Sequence, residues 1–238
     1  RLELSANASQ RLGQSLEIQN LGKSPTELTM RTLDWTYSNE GQITYHEELV
    51  ANSCRPWVTL EKNSIKLNPQ GKRSFRFQVQ VPANAPRTEC RFMVAIEGKD
   101  AAANTLLKAG GANLSLPVNG RIAVAVYVAV GGAEPKLKIQ QLNVQNAKGQ
   151  RVPVAIVSNQ GDAHGRLEGA LEATDAKGQE FELAPENTPI LPGQTRTLPL
   201  TPQAIAKQKL NPPAYPIQAQ GSIDWDKGSF KINQAVFK

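Results

Sequence analysis

His46 and His164 are the only imidazoles among 238 residues, and neither has a Ser, Cys or carboxylate pattern beside it that resembles a nucleophile motif. Both are expected to be solvent-facing polar side chains, His46 on a strand and His164 in the turn from Gly161 to Gly165. Glu47 and Glu48 are adjacent, so on a strand they would point to opposite faces and could not serve one substrate as acid and base. No phosphate-binding Gly motif and no Asp-rich calcium loop occurs, and Asp224 and Asp226 around Trp225 read as turn formers. The residue inventory therefore argues against an enzyme, a metal, a cofactor or a small-molecule substrate.

Cys54 and Cys90 are the two cysteines, each beside an apolar-alternating segment and with no CxxC spacing. A disulfide is expected, the alternative being two buried thiols. It would close an interval of 35 residues. Chain-entropy reasoning gives such a link about 3 to 4 kcal/mol, and it implies an oxidising compartment.

The remaining chemistry lies in charge. The net charge of +6 is spread over the chain, with 15 basic and 11 acidic residues in 1–133 against 12 and 10 in 134–238. Basic residues scattered on strand-like solvent positions, without interleaved aromatics, argue against a nucleic-acid partner. Arg121 stands apart because it interrupts the most regular pattern in the chain, ANLSLPVNGRIAVAVYVAV, residues 112–130. Its permanently charged guanidinium must stay hydrated or find an anion.

The elements that position Arg121 are strands. Ala112, Leu114, Leu116 and Val118 hold one parity, and Ile122, Val124, Val126, Val128 and Val130 resume it after Gly120. As one strand the run would reach roughly 60 Å, against about 17 to 20 Å for an ordinary strand, so it is divided into an exposed leading edge and a buried trailing strand. On pattern alone, the leading half is equally an edge strand of its own domain.

Elsewhere, Leu16 and Ile18 lead to the turn Asn20-Leu21-Gly22, and Phe75, Phe77, Val79 and Val81 alternate. Leu28 and Met30 hold one parity and Leu33, Trp35 and Tyr37 the other, which predicts a bulge near Arg31 and Thr32. Residues 99–111 read as a mobile loop. Thr201 and Pro202 predict a short helix reaching Leu210, and Ile223 to Ile232 a terminal hairpin around Asp226-Lys227-Gly228.

Gly131-Gly132-Ala133-Glu134-Pro135 marks the domain boundary, giving domains 1–132 and 133–238. The strand, Asn-x-Gly turn and strand of residues 15–42 are echoed in 152–179, which points to two related domains. The 18 Gly and 16 Pro, with scarcely an amphipathic helix, specify an all-β protein of antiparallel sandwiches. No apolar run approaches the ~18 residues of a membrane span.

The succession SCRPWVTLEKNSIKLNPQGKRSFRFQVQVPANAP, ECRFMVAIEG and ANLSLPVNGRIAVAVYVAV resembles the first domain of periplasmic chaperones of bacterial chaperone-usher pili, the PapD-like fimbrial assembly chaperone family. The resemblance covers the whole chain in order of elements, is diffuse beyond Ala133, and marks a divergent branch. It implies two immunoglobulin-like domains in a boomerang or L, no enzymatic activity, a periplasmic location, and pilin or fimbrial subunits and an outer-membrane usher as partners. It further implies that Ala112, Leu114, Leu116 and Val118 are lent to an incomplete subunit, and that Arg121, with Arg1, anchors the subunit's C-terminal carboxylate. The sequence departs from the family's pattern at Pro117, inside the lending half, and in its cysteine pair. The alternative is a two-domain immunoglobulin-like structural or adhesive surface protein.

Overall fold

The computed structural model describes residues 1–98, 103–109, 112–118, 121–206 and 209–238, with the backbone alone for 103–109, 112–118 and Arg121. The chain splits into two compact units, one of residues 1–36 and 43–133, the other of 37–42 and 134–238. Each is a β-sandwich of the immunoglobulin-like kind, with strands paired antiparallel except for one parallel pair in the first unit. Among the described residues the only helical turn is a short 3-10 turn, Arg55–Trp57.

In the first unit the strands are β1 (Leu2–Ala6), β2 (Arg11–Asn20), β3 (Thr26–Tyr37), β4 (Ile43–His46), β5 (Val58–Leu60), β6 (Ser64–Leu67), β7 (Lys72–Gln80), β8 (Thr88–Gly98), β9 (Ala103–Ala109), β10 (Ala112–Val118) and β11 (Arg121–Val130). One sheet has the order β1-β11-β8-β3-β4, with β6 also on β3; the other has the order β10-β9-β2-β7-β5. β1 runs parallel to β11, and β11 antiparallel to β8.

The core between the sheets follows the alternation. Phe75, Phe77 and Val79 of β7 are buried while their neighbours are exposed, and Phe77 meets Phe92 edge-on at 6.0 Å. Ile122, Val124, Val126, Val128 and Val130 of β11 are all buried on the same parity. Cys54 and Cys90 form the expected disulfide, Cα to Cα 5.4 Å, tying the loop before β5 to β8 inside this core.

The expected bulge in β3 is absent. Its register with β8 is unbroken from Leu28 opposite Gly98 to Leu33 opposite Met93. Instead the apolar residues change face because the inward positions after Met30 are polar. Asp34, fully buried, accepts the backbone N–H of Val50 at 3.0 Å and the Ser53 hydroxyl at 2.8 Å. Arg55 donates to Thr32 Oγ1 and to the Glu47 carbonyl, and its Nη1 lies 3.6 Å from Asp34. This polar cluster fastens the disulfide-bearing loop, while Leu33 and Trp35 are buried on the opposite face of β3, where Trp35 meets Tyr127 edge-on.

The second unit contains β12 (Leu137–Ala147), β13 (Gln150–Asn159), β14 (Leu167–Thr174), β15 (Glu180–Pro185), β16 (Thr195–Gln203), β17 (Ile217–Trp225) and β18 (Gly228–Phe237). They are ordered β12-β13-β16-β15-β14-β17-β18. β16 pairs with β13 through Thr195–Pro199 and with β15 through Leu200–Gln203, so one strand serves both halves and folds the sheet over its core. Phe181, Leu183, Leu198, Leu200, Ile217 and Phe237 fill that core.

Two expectations fail in this unit. The helix from Pro202 does not form, because Pro202 and Gln203 are drawn into the β16 ladder opposite Leu183 and Glu182; residues 207 and 208 lie outside the described residues. His164 is buried rather than solvent-facing, since Gly165 exchanges two backbone hydrogen bonds with Ile190 and pulls the turn into the sheet. The terminal hairpin of β17 and β18 forms as expected.

Candidate functional site

The 112–130 run divides as its length demands. Residues 112–118 form β10 in one sheet and residues 121–130 form β11 in the other, so the line passes from sheet to sheet. Gly120, the expected dividing residue, lies outside the described residues. The preceding segment matches this passage, with β8 in the sheet of β11 and β9 in the sheet of β10. Residues 103–109 are therefore a strand and not a loop, contrary to the reading of 99–111; residues 99–102, 110 and 111 lie outside the described residues. The physical reason is a continuous antiparallel ladder from Ala112 opposite Ala109 to Val118 opposite Ala103, which gives a weakly patterned segment its backbone partners.

β10 ends its sheet. It pairs with β9, and no described strand pairs with its outer side. Its register also fixes what the alternate positions continue. Ile18 of β2 stands opposite Leu107 of β9, which stands opposite Leu114; Asn20 stands opposite Thr105, which stands opposite Leu116. Ile18 and Asn20 are buried toward the core. By register, Leu114 and Leu116 thus stand in the rows of two buried β2 residues, and Ala112 and Val118 hold the same parity along β10. Pro117 is tolerated because it stands on that edge strand, where one side of the ladder is unused.

Arg121 is the first residue of β11, opposite Glu97. Arg1 precedes Leu2, whose partner in β11 is Val126, so the register sets Arg1 beside position 125. The two arginines are thus four residues apart along β11, about 13 Å at the usual rise. The Arg1 guanidinium lies 2.7 Å from Glu3 on the surface.

His46 Nε2 lies 2.8 Å from Thr36 Oγ1 on the edge strand β4. Glu47 follows that strand and pairs with Arg31, whose guanidinium is held more basic than usual chiefly by this bond. Asp224 lies in β17 and Asp226 in the turn after it. Among the described residues no three His, Cys, Asp or Glu side chains gather as a metal site, and no helix is long and apolar enough to cross a membrane.

Sequence reasoning missed β9, the strand that carries the edge. Its signal is Leu106-Leu107 between two small-residue stretches, which resembles a loop until β10 supplies the ladder.

No family model matches the chain, and no curated protein matches it in sequence. Solved structures align with it along nearly its whole length. The YadV chaperone does so at 11% identity over 98% of this chain and 96% of that chain, with a TM-score of 0.47. The class 5 fimbriae chaperone CfaA does so at 10% identity over 100% and 97%, with a TM-score of 0.47. The CsuC-CsuE chaperone-tip adhesion subunit pre-assembly complex from archaic chaperone-usher Csu pili of Acinetobacter baumannii aligns at 14% identity over 99% and 94%, with a TM-score of 0.45.

Proposed function

We propose that the chain is a periplasmic chaperone of pilus assembly, which holds an incomplete pilin or fimbrial subunit by lending it β10 and passes it to an outer-membrane usher. Residues 1–132 are then the subunit-binding domain and 133–238 the second domain. The observation that carries this reading is the open outer edge of β10, with apolar residues at alternate positions of an edge strand.

A subunit that lacks its last strand exposes unpaired backbone groups beside apolar pockets, and an added strand with alternate apolar side chains repairs both defects. Ala112, Leu114, Leu116 and Val118 enter the pockets. Arg121 binds the subunit's terminal carboxylate, with Arg1 reaching from the neighbouring strand as the second cation. The Cys54–Cys90 disulfide accords with an oxidising compartment. The occupant is named by the resemblance of residues 51–121 to the pilus chaperones.

Co-expression in a periplasm with a subunit encoded beside it tests the proposal. A soluble one-to-one complex forms, and Leu114→Asp and Arg121→Ala each weaken it by at least about tenfold, some 1.4 kcal/mol. Normal binding by both variants sinks strand donation and leaves the structural or adhesive two-domain protein, in which β10 only completes its own sheet.

A further inference from the structure

A second feature of the first unit lies away from β10. The sandwich opens laterally between β6 and the first half of β7, where a groove of about 510 Å³ has Ile65 on its lining. Both flanks are strand edges. β6 pairs with β3 and with no other described strand, and β5 reaches along β7 only as far as Phe77, with Glu61 donating one further bond to the Arg76 carbonyl. Beyond that point Lys72 to Ser74 have β2 on one side and the groove on the other.

Four cations line this opening, Lys62 and Lys66 from one side and Lys72 and Arg73 from the other. Arg73 occupies the same parity as the buried Phe75 and Phe77, which places it at the mouth between the sheets. Two of the carboxylates nearby are engaged at the margin. Glu17 lies 3.8 Å from Lys72, and Glu27 accepts the Ser64 hydroxyl at 3.1 Å. No carboxylate is among the lining residues, although Glu27 stands opposite Lys66 in the β3–β6 ladder and Glu61 precedes Lys62, so the lining itself is positive beside the two strand edges.

We propose that this groove docks an extended acidic peptide segment of a partner protein. The open edges offer backbone hydrogen bonds to a strand, and the cations match alternate Asp or Glu side chains. A concave opening presents little to a flat lipid surface. No aromatic side chain lines it, so there is no platform for stacked bases.

The test uses the full chain and a short fluorescent peptide of alternating Glu and Ser, read by anisotropy. The peptide binds, and its affinity falls about tenfold between about 50 and about 300 mM salt, as screening of the groove requires. Lys66→Glu with Arg73→Glu weakens binding at least about tenfold, the milder pair Lys62→Gln with Lys66→Gln weakens it less, and Lys138→Glu in the second unit leaves it unchanged. Circular dichroism confirms that each variant is folded. Absence of binding, equal binding by the charge-reversed variant, or preferential binding of phosphatidylglycerol vesicles or single-stranded DNA overturns the proposal. Leu114→Asp leaves peptide binding intact while it impairs subunit capture, so the two proposals fail separately.

Discussion

Asn20 closes β2 in the first unit and Asn159 closes β13 in the second, and both side chains are buried. Asn20 accepts the N–H of Gly22 at 2.8 Å and donates to the carbonyls of Ser24 at 2.8 Å and Asn68 at 3.2 Å. Asn159 accepts the N–H groups of Gly161 at 2.9 Å and Lys136 at 3.1 Å, and donates to the carbonyls of Ala163 and Ile190, both at 2.8 Å. Each amide therefore binds the residues two and four ahead in its own turn and a carbonyl from a distant turn. Their backbone N–H groups match as well, bonding to Gly71 and Gln194 at 2.9 Å. The two units share this corner.

They differ in how their sheets end. In the second unit the two ends of the sheet order, β12 and β18, come into contact with one another. In the first, β10 carries its ladder to an outer side that no described strand covers. The first unit also has a disulfide-pinned loop, which the second lacks. Shared corners with unlike edges teach that the scaffold is common while the free edge is a property of one unit. That edge is where the proposed function is placed.

Urea denaturation, with Trp57 reporting the first unit and Trp225 the second, can break or sharpen this comparison. The largest effect follows removal of the link: Cys54→Ser with Cys90→Ser lowers the first unit's stability by about 3 to 4 kcal/mol and leaves the second unit's transition in place. A matching loss in the second unit would mean that the two do not unfold separately.

Asn20→Ala and Asn159→Ala come next. Each strands buried carbonyls and N–H groups and costs its own unit about 2 to 3 kcal/mol. Equal losses support one shared corner; a loss confined to one unit dissolves the parallel.

The glycines of the two turns then separate them. A Cβ on Gly161 would lie 2.4 Å from the Glu134 carbonyl oxygen, whereas on Gly22 it would meet Asn20 Oδ1 at 3.0 Å. Gly161→Ala is expected to cost about 2 kcal/mol through forced backbone movement, and Gly22→Ala about half as much. Thermal midpoints of the two variants decide the order.

The smallest effect is one of pH. The Asp175 carboxyl in the second unit is held below its usual 3.8, first by the N–H of Ala214 and then by those of Gln179 and Lys177, against an opposing cost of burial. A depressed folded value means that its stabilisation is present above the unfolded value and is lost as pH falls through the folded one. Below about pH 4 the second unit therefore weakens, and Asp175→Asn flattens that acid limb in a pH series of denaturation midpoints. A wild-type acid limb unchanged by the substitution counts against this assignment.

Much was legible before any tertiary structure. The alternation of Phe75 to Val79 and of Ile122 to Val130 names core faces, because a strand's period of two places every second residue against its neighbour sheet. The cysteine pairing, the terminal hairpin and the recurrence of Asn-x-Gly were readable for similarly local reasons. Periodicity reports which face of a strand is apolar. It does not report which strand supplies its hydrogen bonds.

That choice belonged to the tertiary structure. The face change in β3 has the sequence pattern of a bulge, but Asp34 occupies the inward side with Val50 and Ser53 as partners. Pro202 looked like a helix start, but the ladder with β15 claimed it. His164 looked exposed because a turn's burial depends on what folds over it. The alternation in residues 112–118 was visible from the start, but its position at the open end of β10-β9-β2-β7-β5 was not. An edge is defined by the neighbour it lacks, and neighbours are settled by pairing between distant segments rather than by the residues of the strand itself.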